Sequence, residues 1–355
     1  MTRLRIAYLI NSMEGGGAAS PLPDIARVLR EGGAEVAVFA LTRRDGRGLP
    51  GIAAAGLDVH VRDGGETDHL AALRWIDRQV AAWRPTHLWT SLTRATLLGQ
   101  IVGQRRGVPV VSWQNNVPRN VANRTLLRLR QRRSALWIAD SAANGDVLRG
   151  MIGVPDDRIA VWPIFRADPS APRAPAWQAG EALRIGSLGR LHPVKGYDVL
   201  ASAVALLRST GVPAEVTIGG DGGLRDALGG QPGIQLAGFV DRPSAFLSGL
   251  HLYVQPSRSE GLCVAAHQAM QAALPVIGSA VGEMRHSIVP GETGWLVPPG
   301  DAPALAAAMT QSLAAPSLLA GMGKAGRARL LDRMGPAQFD AVGGEILRRL
   351  AGMVR

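Results

Sequence analysis

Short apolar runs alternate with helix-period segments along the whole chain, and this alternation limits the fold more than any other feature. Leu4 to Ile10 is a continuous apolar strand, followed by a glycine-rich turn and a segment bearing Ile25, Val28 and Leu29 at helical spacing. Glu35 to Leu41, His87 to Thr90, Val108 to Ser112 and Leu136 to Asp140 read as further strands. Between them Leu70, Leu73, Ile76, Val80 and Trp83 recur every three or four residues, the period of a helix face. Apolar strands separated by amphipathic helices predict a parallel sheet covered on both sides.

The stretch from Arg166 to Gly180 holds three prolines and little apolar periodicity, so it reads as a linker. The alternation restarts beyond it. Leu183–Leu188, Glu215–Ile218, Leu252–Gln255 and Pro275–Gly278 are strands, Tyr197–Leu207 is a helix, and alanine-rich helices follow from Asp301. The expected organisation is a Rossmann-like domain over 1–165, a linker over 166–182, a second Rossmann-like domain over 183–335, and a terminal helix within 336–355 that crosses back to the first. The 355 residues suit two domains. Two such domains are expected to face each other across a cleft, with ligands at the carboxyl ends of the strands.

Composition narrows the function classes. With 46% hydrophobic and 19% charged residues the chain is not disordered. The single cysteine, Cys263, excludes an internal disulfide and a cysteine cluster for zinc. No apolar run reaches ~18 residues, so no transmembrane helix and a cytoplasmic location are expected. The net charge is +11, most of it in the first half, and only two of the 39 basic residues are lysines, Lys195 and Lys324. A basic excess points to an anionic partner.

Three motifs carry chemistry. Asn11 to Ser20 places Gly15, Gly16 and Gly17 between the first strand and a helix, where a backbone can approach an anion; a plain tight turn is the alternative. Ser187 to Leu200, SLGRLHPVKGYDVL, sets Arg190 and Lys195 five apart in a loop before a helix. Two fixed cations suit a diphosphate, and two solvated loop charges are the alternative. Pro256 to Met270, PSRSEGLCVAAHQAM, puts Glu260 and Gly261 before a helix expected to begin near Leu262, with Gln268 eight residues beyond Glu260. On a helix that is ~12 Å along the axis, so the two polar residues could hold opposite ends of an extended ligand. A dipole-stabilising acid and an ordinary half-exposed glutamine are the alternatives.

Taken in order with Gly219-Gly220-Asp221-Gly222, Gly238-Phe239-Val240, Gly291-Glu292-Thr293-Gly294 and Val297 to Asp301, these motifs resemble the retaining glycosyltransferases of the GT-B fold, family 4 (glycosyl transferases group 1). The specific part covers about 183–310; the first half is similar more loosely, through Gly16-Gly17-Ala18 and the strand pattern. The resemblance implies an α/β chain with two doubly wound Rossmann-like domains. It implies a nucleoside-diphosphate sugar as donor substrate and no metal or other cofactor. Arg190 and Lys195 would grip the diphosphate, helped by the helix start at Gly261 and Leu262. Glu260 would contact the transferred sugar as the first acid of the family's paired-acid motif. Gln268 stands where the second acid meets the ribose, the backbone near Val240 would meet the base, and Gly16 and Gly17 would approach the phosphates or the acceptor. Asn115 stands where many relatives have a histidine near the sugar. His251 replaces a usual Asp, and Val281-Gly282-Glu283 replaces a common Gly-Gly pair.

The segment Arg119 to Arg133 carries six arginines and no acid, interleaved with Leu126, Leu127 and Leu129. It reads as a basic amphipathic helix that would meet an anionic membrane surface, or else as a solvated face over a core-packed leucine stripe. Nucleic acid is not expected, because few aromatics flank the arginines. The implied function is sugar transfer to a glycan or lipid-linked acceptor in cell-envelope or exopolysaccharide synthesis, at the inner face of the plasma membrane. A same-fold epimerase or phosphorylase and a catalytically impaired nucleotide-sugar-binding or scaffold homologue are the competing readings.

Overall fold

The structure is a computed structural model, and it describes residues 3–15, 19–114 and 120–353. The chain divides into two compact units, Met1–Arg166 with Ala337–Arg355, and Ala167–Pro336.

In the first unit seven parallel strands follow one another: β1 (Arg5–Ser12), β2 (Glu35–Thr42), β3 (Asp58–Val61), β4 (His87–Ser91), β5 (Val110–Gln114), β6 (Leu136–Ala139) and β7 (Ile159–Val161). Their spatial order is β3-β2-β1-β4-β5-β6-β7, so the sheet reverses direction between β1 and β4. Every residue of β4 and β5 is buried, as expected for central strands with helices on both faces. The helix His69–Trp83 turns Ile76 and Val80 onto Leu9, Phe39 and Leu88. The terminal helix Pro336–Ala351 belongs to this unit; its Phe339 ring lies 5.1 Å from Trp162, which stacks on Trp113 at 5.3 Å.

The second unit repeats the plan with β8 (Ile185–Leu188), β9 (Val216–Gly219), β10 (Ile234–Gly238), β11 (Leu252–Gln255), β12 (Val276–Ser279) and β13 (Gly294–Val297). The order is β10-β9-β8-β11-β12-β13, all parallel, and the reversal falls between β8 and β11. One continuous core joins Ile185, Val216, Leu252 and Ile277 to Leu200 and Val204 of the helix Tyr197–Ser209 and to Leu305 and Met309 of the helix Ala302–Ala314. The proline-rich segment after Arg166 lies along this unit rather than hanging free. The Ala167 amide donates to the Met334 carbonyl at 2.8 Å and the Ala174 amide to the Ala272 carbonyl at 2.7 Å, while buried Arg327 donates to the Pro169 carbonyl at 2.6 Å. Prolines lack the N–H that a ladder needs, so single bonds of this kind are how the segment is held.

Candidate functional site

The reversal between β8 and β11 is where a doubly wound sheet opens a crevice at its carboxyl ends. Two loops leave the sheet there. The chain after Leu188 runs through Gly189 and Arg190 into a short turn, Pro193–Lys195, before the helix Tyr197–Ser209. The chain after Gln255 runs through Pro256 to Cys263 before the helix Val264–Gln271. Gly196 ends the first loop with φ +69°, and a Cβ there would sit inside the shell of the Pro256 carbonyl oxygen. The two loops therefore touch backbone to backbone, which only glycine permits in that conformation.

This packing brings the sequence-expected Lys195 and Glu260 together. Lys195 Nζ donates to Glu260 Oε1 at 2.7 Å, and their side chains are 21% and 10% exposed. Burial opposes the ammonium charge, but the neighbouring carboxylate outweighs it, so Lys195 is held above its ordinary pKa. Arg190 stands beside the pair, near enough to repel Lys195, and is exposed. Among the described residues its guanidinium makes no ion pair. One paired and one open cation at the rim of a crevice can take a doubly charged anion.

Three side chains behind Glu260 were not foreseen. Ser257 Oγ donates to Glu260 Oε1 at 2.6 Å, Gln255 Nε2 donates to Ser257 Oγ at 2.8 Å, and the Tyr253 hydroxyl donates to Gln255 Oε1 at 2.7 Å. Tyr253, Gln255 and Ser257 are all buried. The alternation along β11 was the available signal, since residues two apart share a strand face.

The other expected residues take the following places. The Val240 side chain packs over Gly219, 2.7 Å from where a Cβ would stand, so it walls the loop after β10 against the end of β9. Leu262 is buried, and Gly261 accepts from the Glu283 amide at 2.9 Å. The helix starts at Val264 rather than near Leu262, because Cys263 takes a left-handed conformation at φ +64°. The Cys263 thiol is buried beside Glu260, and burial pushes its pKa up. Gln268 sits on that helix, half-buried, with no side-chain hydrogen bond among the described residues. A Cβ at Gly282 would collide with the carbonyl oxygens of Glu260 and Gly261, while Glu283 is buried and pairs with Arg333 at 2.7 Å. His251 lies at the opposite end of β11 from Gln255, where its Nδ1 accepts from the Arg184 amide at 3.2 Å. Gly16, Gly17, Asn115 and Arg119 lie outside the described residues.

In the first unit, helix Val121–Arg130 buries Leu127 against Trp137 and Ile152. Leu126 and Leu129 do not join it; they are 45% and 76% exposed, with Val121 at 63%. The alternative of a core-packed leucine stripe thus comes down to a single leucine. At the carboxyl end of this sheet Asp68 accepts from Arg62 at 2.5 Å and Arg94 at 2.9 Å, and these guanidiniums hold its carboxyl down to about 2. Among the described residues no group of three or more His, Cys, Asp and Glu is placed to hold a metal ion.

Residues 182–315 match the family model described as Glycosyl transferases group 1. That stretch holds Arg190, Lys195, Glu260 and Gln268. The chain is 36% identical over 126 residues to the D-inositol 3-phosphate glycosyltransferase of Jonesia denitrificans, covering 31% of this chain and 30% of that one. It is 34% identical over 143 residues to the amylovoran biosynthesis glycosyltransferase AmsK of Erwinia amylovora, covering 36% and 35%. The chain thus spans about a third of the length of these curated relatives. Among solved structures, Anabaena HepE in complex with UDP-glucose superposes with a TM-score of 0.83 at 19% identity, over 98% of this chain and all of that one. Sucrose-phosphate synthase of Thermosynechococcus elongatus gives 0.82 at 19% identity, over 99% of this chain and 100% of its own. The fold of two Rossmann-like parallel sheets is that of the GT-B proteins.

Proposed function

We propose that this chain is a glycosyltransferase that moves a sugar from a nucleoside-diphosphate sugar to a glycan or lipid-linked acceptor, with retention at the anomeric carbon, in cell-envelope or exopolysaccharide synthesis. The observation that carries the reading is the Lys195–Glu260 pair with Arg190 beside it, at the carboxyl ends of β8 and β11 and inside the family-matched stretch. Breaking the glycosidic bond leaves a diphosphate whose negative charge must be met as it develops. Arg190 and Lys195 meet that charge, and the reading assigns them the task without a metal ion. Glu260 orients the sugar, Gln268 hydrogen-bonds the ribose, and Val240 borders the base. Turnover in excess EDTA should equal turnover without it; a loss restored by magnesium would remove the metal-free assignment.

The acceptor is assigned to the first unit. Exposed Val121, Leu126 and Leu129, flanked by Arg124, Arg128 and Arg132, support docking on an anionic lipid surface. Co-sedimentation with phosphatidylglycerol vesicles at low salt tests it. Binding should fail with phosphatidylcholine alone and weaken with Leu129→Glu; equal binding to both lipids, or none, contradicts it.

A second reading, a donor-binding homologue without turnover, is favoured by one observation: the residue to which this reading gives the ribose contact, Gln268, is neutral. A thermal-shift panel of UDP-glucose, UDP-galactose, UDP-N-acetylglucosamine, GDP-mannose and ADP-glucose, followed by release of nucleoside diphosphate from the best binder, separates the two. HepE was solved with UDP-glucose, which makes that donor the first probe. Stabilisation with turnover supports the transferase; stabilisation without turnover, with acceptor lipid extract present, supports the second reading.

A further inference from the structure

Glu260 does not rest on Lys195 alone, and the arrangement behind it has a direction. The Leu188 amide donates to the Tyr253 hydroxyl oxygen at 3.2 Å, Tyr253 donates to Gln255, Gln255 to Ser257, and Ser257 to Glu260 Oε1. The second Gln255 amide hydrogen also reaches Glu260 Oε1, at 3.3 Å. The Tyr253 hydroxyl also lies 3.1 Å from the Leu188 carbonyl, while the Gln255 and Ser257 protons point toward the carboxylate, and the line starts on β8 and ends on the loop after β11. Tyr253, Gln255 and Ser257 are no more than 1% exposed. A buried polar chain of this kind is costly unless each member is satisfied, and here each one is.

We infer that Ser257, held by Gln255 and Tyr253, is a positioning residue that fixes the Glu260 carboxylate in one orientation. Three donors, Lys195 Nζ, Ser257 Oγ and Gln255 Nε2, converge on Oε1. The buried Cys263 thiol also hydrogen-bonds the Glu260 carboxylate. The three donors on Oε1 fix the carboxylate plane, and the transferase reading gives Oε2 the hydroxyl of the transferred sugar. Lys195 alone could not do this. Its long side chain must also answer the diphosphate, and when it shifts toward phosphate only the Ser257 side still holds the carboxylate. The inference rests on the transferase reading, in which Glu260 touches the sugar.

The experiment uses the full chain, the donor of the panel above that stabilises it most, and the matching free nucleoside diphosphate. Ser257→Ala should lower kcat by about tenfold or more, the worth of a hydrogen bond to a charged group. Nucleoside diphosphate affinity and donor KM should stay within about twofold, because the diphosphate cations are untouched. The ratio of sugar transfer to donor hydrolysis should fall, since a loosely held sugar is open to water. Gln255→Met should lower kcat on its own and add little in the Ser257→Ala background, as expected for residues acting in series. Tyr253→Phe, which removes one hydroxyl, covers the case in which Ser257→Ala fails to fold; its kcat should drop about threefold or more at unchanged diphosphate affinity. An unchanged kcat and transfer ratio in Ser257→Ala or Tyr253→Phe, with Glu260→Ala inactive, overturns this inference and leaves the transferase reading standing. A wild-type chain that turns over no donor overturns both.

Discussion

Lys195 Nζ and Glu260 Oε1 lie 2.7 Å apart although 65 positions separate the residues in sequence. Nothing local makes that contact. It follows from two crossovers that deliver both loops to one end of the sheet, and from Gly196 letting those loops meet.

That glycine is therefore the structural hinge of the pair. Gly196→Ala forces an L-residue into φ +69° and drives its Cβ into the Pro256 carbonyl. The expected cost is about 3 kcal/mol or more, which lowers Tm by roughly 10 °C in a unit of this size. Differential scanning calorimetry reads it directly. A Tm within a degree of wild type would mean that the loops are free to part.

Arg190 is exposed and makes no ion pair among the described residues, so its removal should separate binding from stability. Arg190→Ala is expected to weaken nucleoside diphosphate affinity about tenfold with no change in Tm. The effect should shrink at high salt, as exposed charges are screened. Isothermal titration at two salt concentrations checks this; unchanged affinity at low salt removes Arg190 from the site.

The charge missing at Gln268 can be put back. Gln268→Glu should tighten donor binding by about three- to tenfold, because a carboxylate accepts the two ribose hydroxyls more strongly than an amide. Donor KM should fall and kcat should hold. If the substitution changes neither, Gln268 does not meet the ribose.

His87 sets a pH window for the first unit. It starts β4 fully buried, its Nε2 has no hydrogen-bond partner among the described residues, and burial lowers its pKa to about 4. The unfolded chain takes up a proton near pH 6.5, which the folded chain refuses until about pH 4. This contribution is complete above pH 6.5 and is lost as pH falls toward 4, to a limit of roughly 3 kcal/mol. Urea denaturation across that range should show the slope, and His87→Leu should flatten it. An equal slope in both proteins would assign the loss to other groups.

Sequence reading located the central strands because their burial is written as unbroken apolar runs; Leu252–Gln255 coincides with β11 and Glu35–Leu41 falls one residue short of β2. Four strands passed unmarked: Asp58–Val61, Ile159–Val161, Ile234–Gly238 and Gly294–Val297. All four are edge strands. One side of an edge strand meets solvent, as Gln235 and Ala237 do on β10, so its pattern lacks the continuous apolar signature. At the site, charge made Lys195 and Glu260 visible. Ser257 and Gln255 were not, because their role lies in a line of hydrogen bonds that exists only once β8 and β11 are neighbours. The leucines of the basic helix left two readings open, a membrane-facing surface and a buried stripe, and the packing buries only Leu127 of the three.

The most direct test of the account is Glu260→Ala, assayed for both nucleoside diphosphate affinity and sugar transfer. The account predicts affinity within a few-fold of wild type, since Lys195 is then free to serve the diphosphate, and transfer reduced by about a hundredfold or more. Transfer at the wild-type rate would contradict it.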